Sequence, residues 1–132
     1  MIMDKGFSKI IFPELSYKIN GILFEVHNNL GRHCNEQQYA DAVEKLLKEN
    51  DIKYEREKVI PESFPGEQKG RNKVDFIIES KIILEIKAKR LLLREDYYQV
   101  RRYLQALNLK LGILVNFRNQ YIKPRRVLNS KV

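Results

Sequence analysis

Polar and apolar residues alternate most regularly between Lys73 and Lys87. Val74, Phe76 and Ile78 alternate with Asp75 and Ile77, and Ile82, Leu84 and Ile86 alternate with Ile83, Glu85 and Lys87. A period of two is that of β-strands, so this stretch predicts a hairpin turning at Glu79-Ser80-Lys81. Centring the turn on Ser80 sets Asp75 directly opposite Glu85, with Lys87 two residues further along the same face.

The flanking pattern predicts the rest of the domain. Pro13 opens a helix whose apolar stripe is Leu15, Ile19, Ile22, Leu23, Val26 and Leu30, and Gly31 suits its C-terminal cap. Asn35 and Gln38 form a capping-box pattern for a second helix running to about Asn50, with Tyr39, Ala40, Val43 and Leu47 on its apolar face. Residues Ile52 to Ile60 read as a strand beside the hairpin, ended by Pro61, and 61–72 as a loop carrying Lys69 and Arg71. A third helix begins at Arg94-Glu-Asp96, with Tyr97, Val100, Leu104 and Leu107 as its core positions. The continuous apolar run Leu111–Val115 predicts a buried strand parallel to the Glu85 strand, and Arg125–Leu128 an edge strand. The order of these elements predicts one α/β domain over residues 1–132, a mixed central sheet flanked by helices.

Composition narrows the class. The chain has 132 residues, 43% of them hydrophobic, enough for one core. Lysine and arginine number 25 against 17 acidic residues, a net charge of +8 that favours polyanionic partners. One cysteine, Cys34, excludes an internal disulfide, and no Cys/His cluster has zinc-ligand spacing. No segment reads as a signal peptide, and no apolar run approaches the ~18 residues of a membrane span. These features predict a cytoplasmic protein without a membrane partner. A homodimer remains open.

Chemistry is expected where the acids oppose. Like charges facing each other across a strand pair are destabilising unless neutralised. Either the hairpin face is solvated, or a divalent cation bridges Asp75 and Glu85, with Lys87 placed to contact a phosphate or a water. Glu36 projects onto the apolar face of the second helix, where a carboxylate needs a partner unless its head stays in water at the helix N-terminus. Glu25 and His27 flank the first helix's stripe on opposite sides and cannot easily share a ligand. Gln99 and Tyr103 are neighbours on one flank of the third helix, as core-edge residues or as contacts.

These residues carry a resemblance. Asp75 followed by Glu85-Ile86-Lys87 resembles the Asp…Glu-x-Lys signature of the PD-(D/E)XK nuclease superfamily. Gln99-Val-Arg-Arg-Tyr103 is similar to the Gln-x-x-x-Tyr motif of RecB-type nucleases. Leu30-Gly31 with Glu36-Gln-Gln-Tyr39 resembles the GxxExxY proteins, although His33 stands where their glycine precedes the glutamate and the glycine here is Gly31. The resemblance implies a restriction-endonuclease-like fold and metal-dependent phosphodiester hydrolysis, with DNA the expected substrate. It implies that Asp75, Glu85, the Ile86 carbonyl and Glu36 hold Mg²⁺ or Mn²⁺, which polarises the phosphate and activates water, while Lys87 orients that water or stabilises developing charge. Gln99 and Tyr103 would contact the nucleic-acid backbone, joined by Lys89, Arg90, Arg101 and Arg102 around the site. A binding module that keeps the fold without catalysis is the competing expectation.

Overall fold

The computed structural model describes residues 11–131; the first ten, where a signal peptide was not expected, lie outside this range. Strands β2 (Lys73–Ile78) and β3 (Ile82–Lys87) form the antiparallel hairpin that the alternation predicts, with Phe76 opposite Leu84, Ile77 opposite Ile83 and Ile78 opposite Ile82. Glu79 and Ser80 both take left-handed φ in the turn, closed by the Lys81 N–H donating to the Ile78 carbonyl. Glu79 is fixed further by its carboxylate, which accepts the Lys53 N–H at 2.9 Å.

Strand β1 (Tyr54–Val59) pairs antiparallel with β2, β4 (Leu111–Asn116) parallel with β3, and β5 (Arg125–Leu128) antiparallel with β4. The mixed five-stranded sheet therefore keeps the order β1-β2-β3-β4-β5. A parallel pair needs a crossover, which α3 (Arg94–Leu107) supplies.

Helices α1 (Pro13–Leu30) and α2 (Glu36–Glu49) cover one face of the sheet. Ile19, Leu23 and Val26 of α1 and Tyr39, Val43 and Leu47 of α2 pack there against Phe76, Ile78, Leu84, Ile86, Ile113 and Val115. Proline at the first position of α1 and Gly31 at its end, with φ 76° and its N–H on the His27 carbonyl, bound that helix as expected. The other face carries α3, whose Val100, Tyr103 and Leu104 pack on Ile77, Ile83, Leu114 and Val127. Gly112 permits that approach: a Cβ there would lie 2.6 Å from Val100 Cγ1.

The third helix is rotated from its expected phase. Tyr97 is exposed and Leu107 only half-buried, whereas Tyr103 is 4% exposed. The cause lies at the helix start, where Asp96 turns inward and its carboxylate accepts the Leu93 N–H at 2.8 Å. The buried stripe therefore runs through Asp96, Val100, Tyr103 and Leu104.

Candidate active site

The β2–β3 ladder runs to Phe76 and Leu84, and beyond it side chains replace backbone partners. The Asp75 N–H donates to Glu85 Oε1 at 2.9 Å, and the Ile86 N–H donates to Asp75 Oδ2 at 2.7 Å. The two acids thus meet where the register expected them, each spending one oxygen on a backbone donor of the other strand.

They do not arrive from a single face. Strict alternation would place Val74 and Phe76 together, yet Val74 packs on the α3 side and Phe76 on the α1–α2 side. The switch falls at Asp75, which β1 leaves unpaired together with Glu57. Glu57 has a φ of 53°, an uncommon conformation for a glutamate. Asp75 consequently lines a narrow cleft on the α2 side with Glu36, Gln37, Arg56, Glu57 and Ile86. Glu85 and Lys87 alternate with Leu84 and Ile86, so they point toward α3, where Lys87 Nζ donates to Gln99 Oε1 at 3.4 Å. The expected common face is corrected to a gap at the sheet end that the carboxylates enter from both sides.

Burial makes this pairing electrostatically strained. Glu85 is 3% exposed, and burial first, then the charge of Asp75, pushes its carboxyl up to about 8. Burial also raises Asp75, opposed by the Ile86 N–H and Lys87, while Glu36 and Glu57 add like charge nearby. Among the described residues, no group of three or more His, Cys, Asp and Glu is arranged to hold an ion. A hard divalent cation at Asp75 and Glu85 would be held through one or two carboxylates, with the rest of its shell supplied by water and phosphate.

Glu36 reaches this place from an exposed helix start. Its Oε2 accepts the Ala88 N–H at 3.2 Å, just past β3. The preceding loop delivers it: Asn35 and Gln38 form the reciprocal capping bonds, both 2.9 Å. The Tyr39 hydroxyl donates to the Gly31 carbonyl and accepts the Cys34 N–H, while its ring stacks on Phe117 with centroids 4.2 Å apart. The loop's left-handed position is Gly31, so His33 has no need to be glycine. Glu25 lines a separate groove with Lys18, Gly21 and Asn50, and His27 contacts the Asn119 carbonyl at 2.9 Å beside Phe117. A further recess, between the start of α1 and the Glu79–Lys81 turn, lies away from the carboxylates.

The basic residues divide. Lys89 Nζ pairs with Asp96 at 2.9 Å, so its ammonium is engaged within the protein. Asp96 also lies 3.9 Å from Lys87 Nζ, and the Leu93 N–H and Lys89 hold its carboxyl low despite the opposing effect of burial. Arg90 and Arg102 are exposed and Arg101 half-buried, with no carboxylate partner among the described residues. Tyr103 is buried with Val100 and Leu104 on the α3 face of the sheet, and burial followed by the charge of Glu85 raises its hydroxyl. Three contributors escaped the sequence reading. Asp96 looked like an ordinary helix-start acid, Asn116 stood one residue past an apolar run, and Glu57 sat among alternating charges. Asn116 Nδ2 donates to the Lys89 carbonyl at 2.7 Å and its Oδ1 accepts the Lys89 N–H at 3.1 Å, which clamps the chain leaving β3.

Among curated proteins no sequence matches. A solved structure titled "Crystal structure of SSO0001" matches with a TM-score of 0.53 and 27% identity over 68% of this chain and 48% of that one, so the chain spans about half the length of that structure. No described helix is long and apolar enough to cross a membrane. Residues 13–127 match the family model of the PD-(D/E)XK nuclease superfamily, from α1 through β5. With Asp75, Glu85 and Lys87 gathered at the end of its central hairpin, the chain belongs to the PD-(D/E)XK nuclease superfamily.

Proposed function

We propose that this protein is a divalent-cation-dependent nuclease that hydrolyses phosphodiester bonds of DNA. The observation that carries this reading is the buried contact of Asp75 with Glu85 beyond the last ladder pair, with Lys87 beside it. A protein that only bound nucleic acid would gain nothing from two carboxylates packed together near phosphates. Superfamily nucleases generally use ions such as Mg²⁺, and here Asp75 and Glu85 would hold Mg²⁺ or Mn²⁺ with the Ile86 carbonyl. When bound, the cation supplies charge neutralisation of the phosphate and a more acidic water.

The chain's own residues do the rest. Lys87, held between Gln99 and Asp96, presents its ammonium to the non-bridging oxygens as negative charge develops, or orients the attacking water. Glu36 fixes the Ala88 amide and stands close enough to complete the acidic shell. Gln99 and the arginines of α3 position the substrate backbone. The Gly31, Glu36 and Tyr39 arrangement supports grouping the chain with GxxExxY proteins.

The test is cleavage of labelled single- and double-stranded DNA with Mg²⁺, Mn²⁺ or chelator. Wild type should cut only with cation, and Glu85→Ala and Lys87→Ala should not cut while remaining folded. Cleavage at wild-type rate by either variant would remove the assignment.

A further inference from the structure

The turn that follows β4 is built into the end of the sheet where the carboxylates meet. The Phe117 N–H donates to the Lys87 carbonyl at 2.9 Å, and the next residue is Arg118, whose own N–H donates to Asn116 Oδ1 at 3.3 Å. From the loop between α1 and α2, Arg32 Nε donates to the Arg118 carbonyl at 2.9 Å, so a second basic residue is held against the same turn. Arg118 is half-buried, and its Nε is enclosed without a hydrogen-bond partner among the described residues. Buried polar groups are nearly always paired, so an orphaned guanidinium nitrogen calls for a reason. Neither arginine has a carboxylate partner among the described residues. Arg118 lines an open hollow with His33, Glu36, Gln37 and Ala88, and Glu36 and Gln37 also line the cleft that holds Asp75. Glu36, the acid of this hollow, spends its Oε2 on the Ala88 N–H. Burial raises the Tyr39 hydroxyl, and the charge of Arg118 is among the effects that oppose it, which places the guanidinium near the loop leading to Glu36.

We propose that Arg118, with Arg32 beside it, is a phosphate contact for the substrate strand, taking a backbone phosphate next to the one that lies at Asp75, Glu85 and Lys87. This rests on the nuclease reading and adds a binding residue to it. One backbone hydrogen bond and one peptide link tie Arg118 to Lys87, so a strand whose reacting phosphate lies in the gap between the acids passes this turn on the α2 side. A guanidinium stays charged and offers parallel N–H donors that match phosphate oxygens. Such a contact reads no bases: it fixes where the strand lies, and so which phosphate is presented to the acids.

The first measurement is DNA binding in chelator across a salt series, with oligonucleotides whose ends are hydroxyls so that every phosphate is a backbone diester. Arg118→Met, which keeps an unbranched stem, is expected to weaken binding at low salt about tenfold and to lower the salt slope by about one. Arg118→Lys should keep most of both, and thermal melts of the two variants should match wild type. The second measurement is cleavage in Mn²⁺ of DNA carrying one uncharged methylphosphonate at successive positions around the cut. At one position adjoining the cut it should slow wild type about tenfold and add nothing in Arg118→Met, because that variant has already lost the contact. An unchanged salt slope in Arg118→Met, or equal methylphosphonate penalties in both proteins at every position, overturns the contact. Inorganic phosphate that raises the melting temperature of wild type but not of Arg118→Met, with equal DNA slopes in the two, overturns it in favour of a free-anion site. Failure of the nuclease reading is separate: it shows as absent cleavage by wild type in Mn²⁺ while the dependence of the salt slope on Arg118 persists.

Discussion

Glu85 carries a charge that the folded chain accommodates poorly. Its carboxyl sits at about 8 in the fold against an ordinary 4.5, so the folded state retains a proton that the unfolded chain releases. The stability from that retained proton is full below 4.5 and is lost as pH rises through about 8. Melts in chelator should therefore fall in midpoint across this window, and Mg²⁺ should flatten the decline; a flat profile in chelator would contradict the burial. Asp75→Asn tests the pairing more directly, because the amide oxygen can still accept the Ile86 N–H while the like charge disappears. In chelator this variant should melt above wild type, by on the order of 1 kcal/mol. Mg²⁺ should then stabilise wild type by mass action and the variant much less. Equal cation responses would leave the carboxylates paired but without a ligand. Both acids were legible in the sequence because each interrupts an apolar strand. Glu57 was not, since Arg56 and Lys58 on either side of it are also charged and nothing in a residue's identity announces a left-handed φ.

At the scale of elements, the hairpin, the two covering helices and the parallel β4 follow from periodicity and caps, because their patterns admit one reading. The third helix does not. A stripe through Tyr97, Val100, Leu104 and Leu107 is as helical as one through Asp96, Val100, Tyr103 and Leu104, and the choice depends on tertiary partners for Asp96 that lie in the preceding segment. The approach of that helix to β4 depends on one missing side chain. Gly112→Ala would push a methyl group to within 2.6 Å of Val100 Cγ1, and valine is stiff about χ1, so the helix or the strand must move. A loss of ~1–3 kcal/mol in chemical denaturation is expected. Val100→Ala in the same background should recover part of it, whereas a fully stable single variant would show the contact to be softer than drawn.

The whole molecule carries +8, and α3 holds Arg94, Arg101 and Arg102, which have no carboxylate partner among the described residues. DNA affinity should fall steeply between low and physiological salt, with Arg90→Ala, Arg101→Ala and Arg102→Ala each making the slope shallower. Lys89→Ala should instead lower stability with little change in slope, because its ammonium is already spent on Asp96. Binding that ignores salt would rule out a phosphate-led interface. The sheet's outer boundary shows a further economy. An exposed strand edge is a template on which a foreign chain can pair, and β1 is such an edge. The left-handed Glu57 distorts it in mid-strand, between the Arg56 and Lys58 pairs with β2, the kind of local irregularity that spoils an edge as a template. The distortion that accompanies the switch at Asp75 thus also blunts the fold against edge-to-edge aggregation, so a substitution that straightened β1 would be expected to expose a fibre-forming surface along with a misplaced acid.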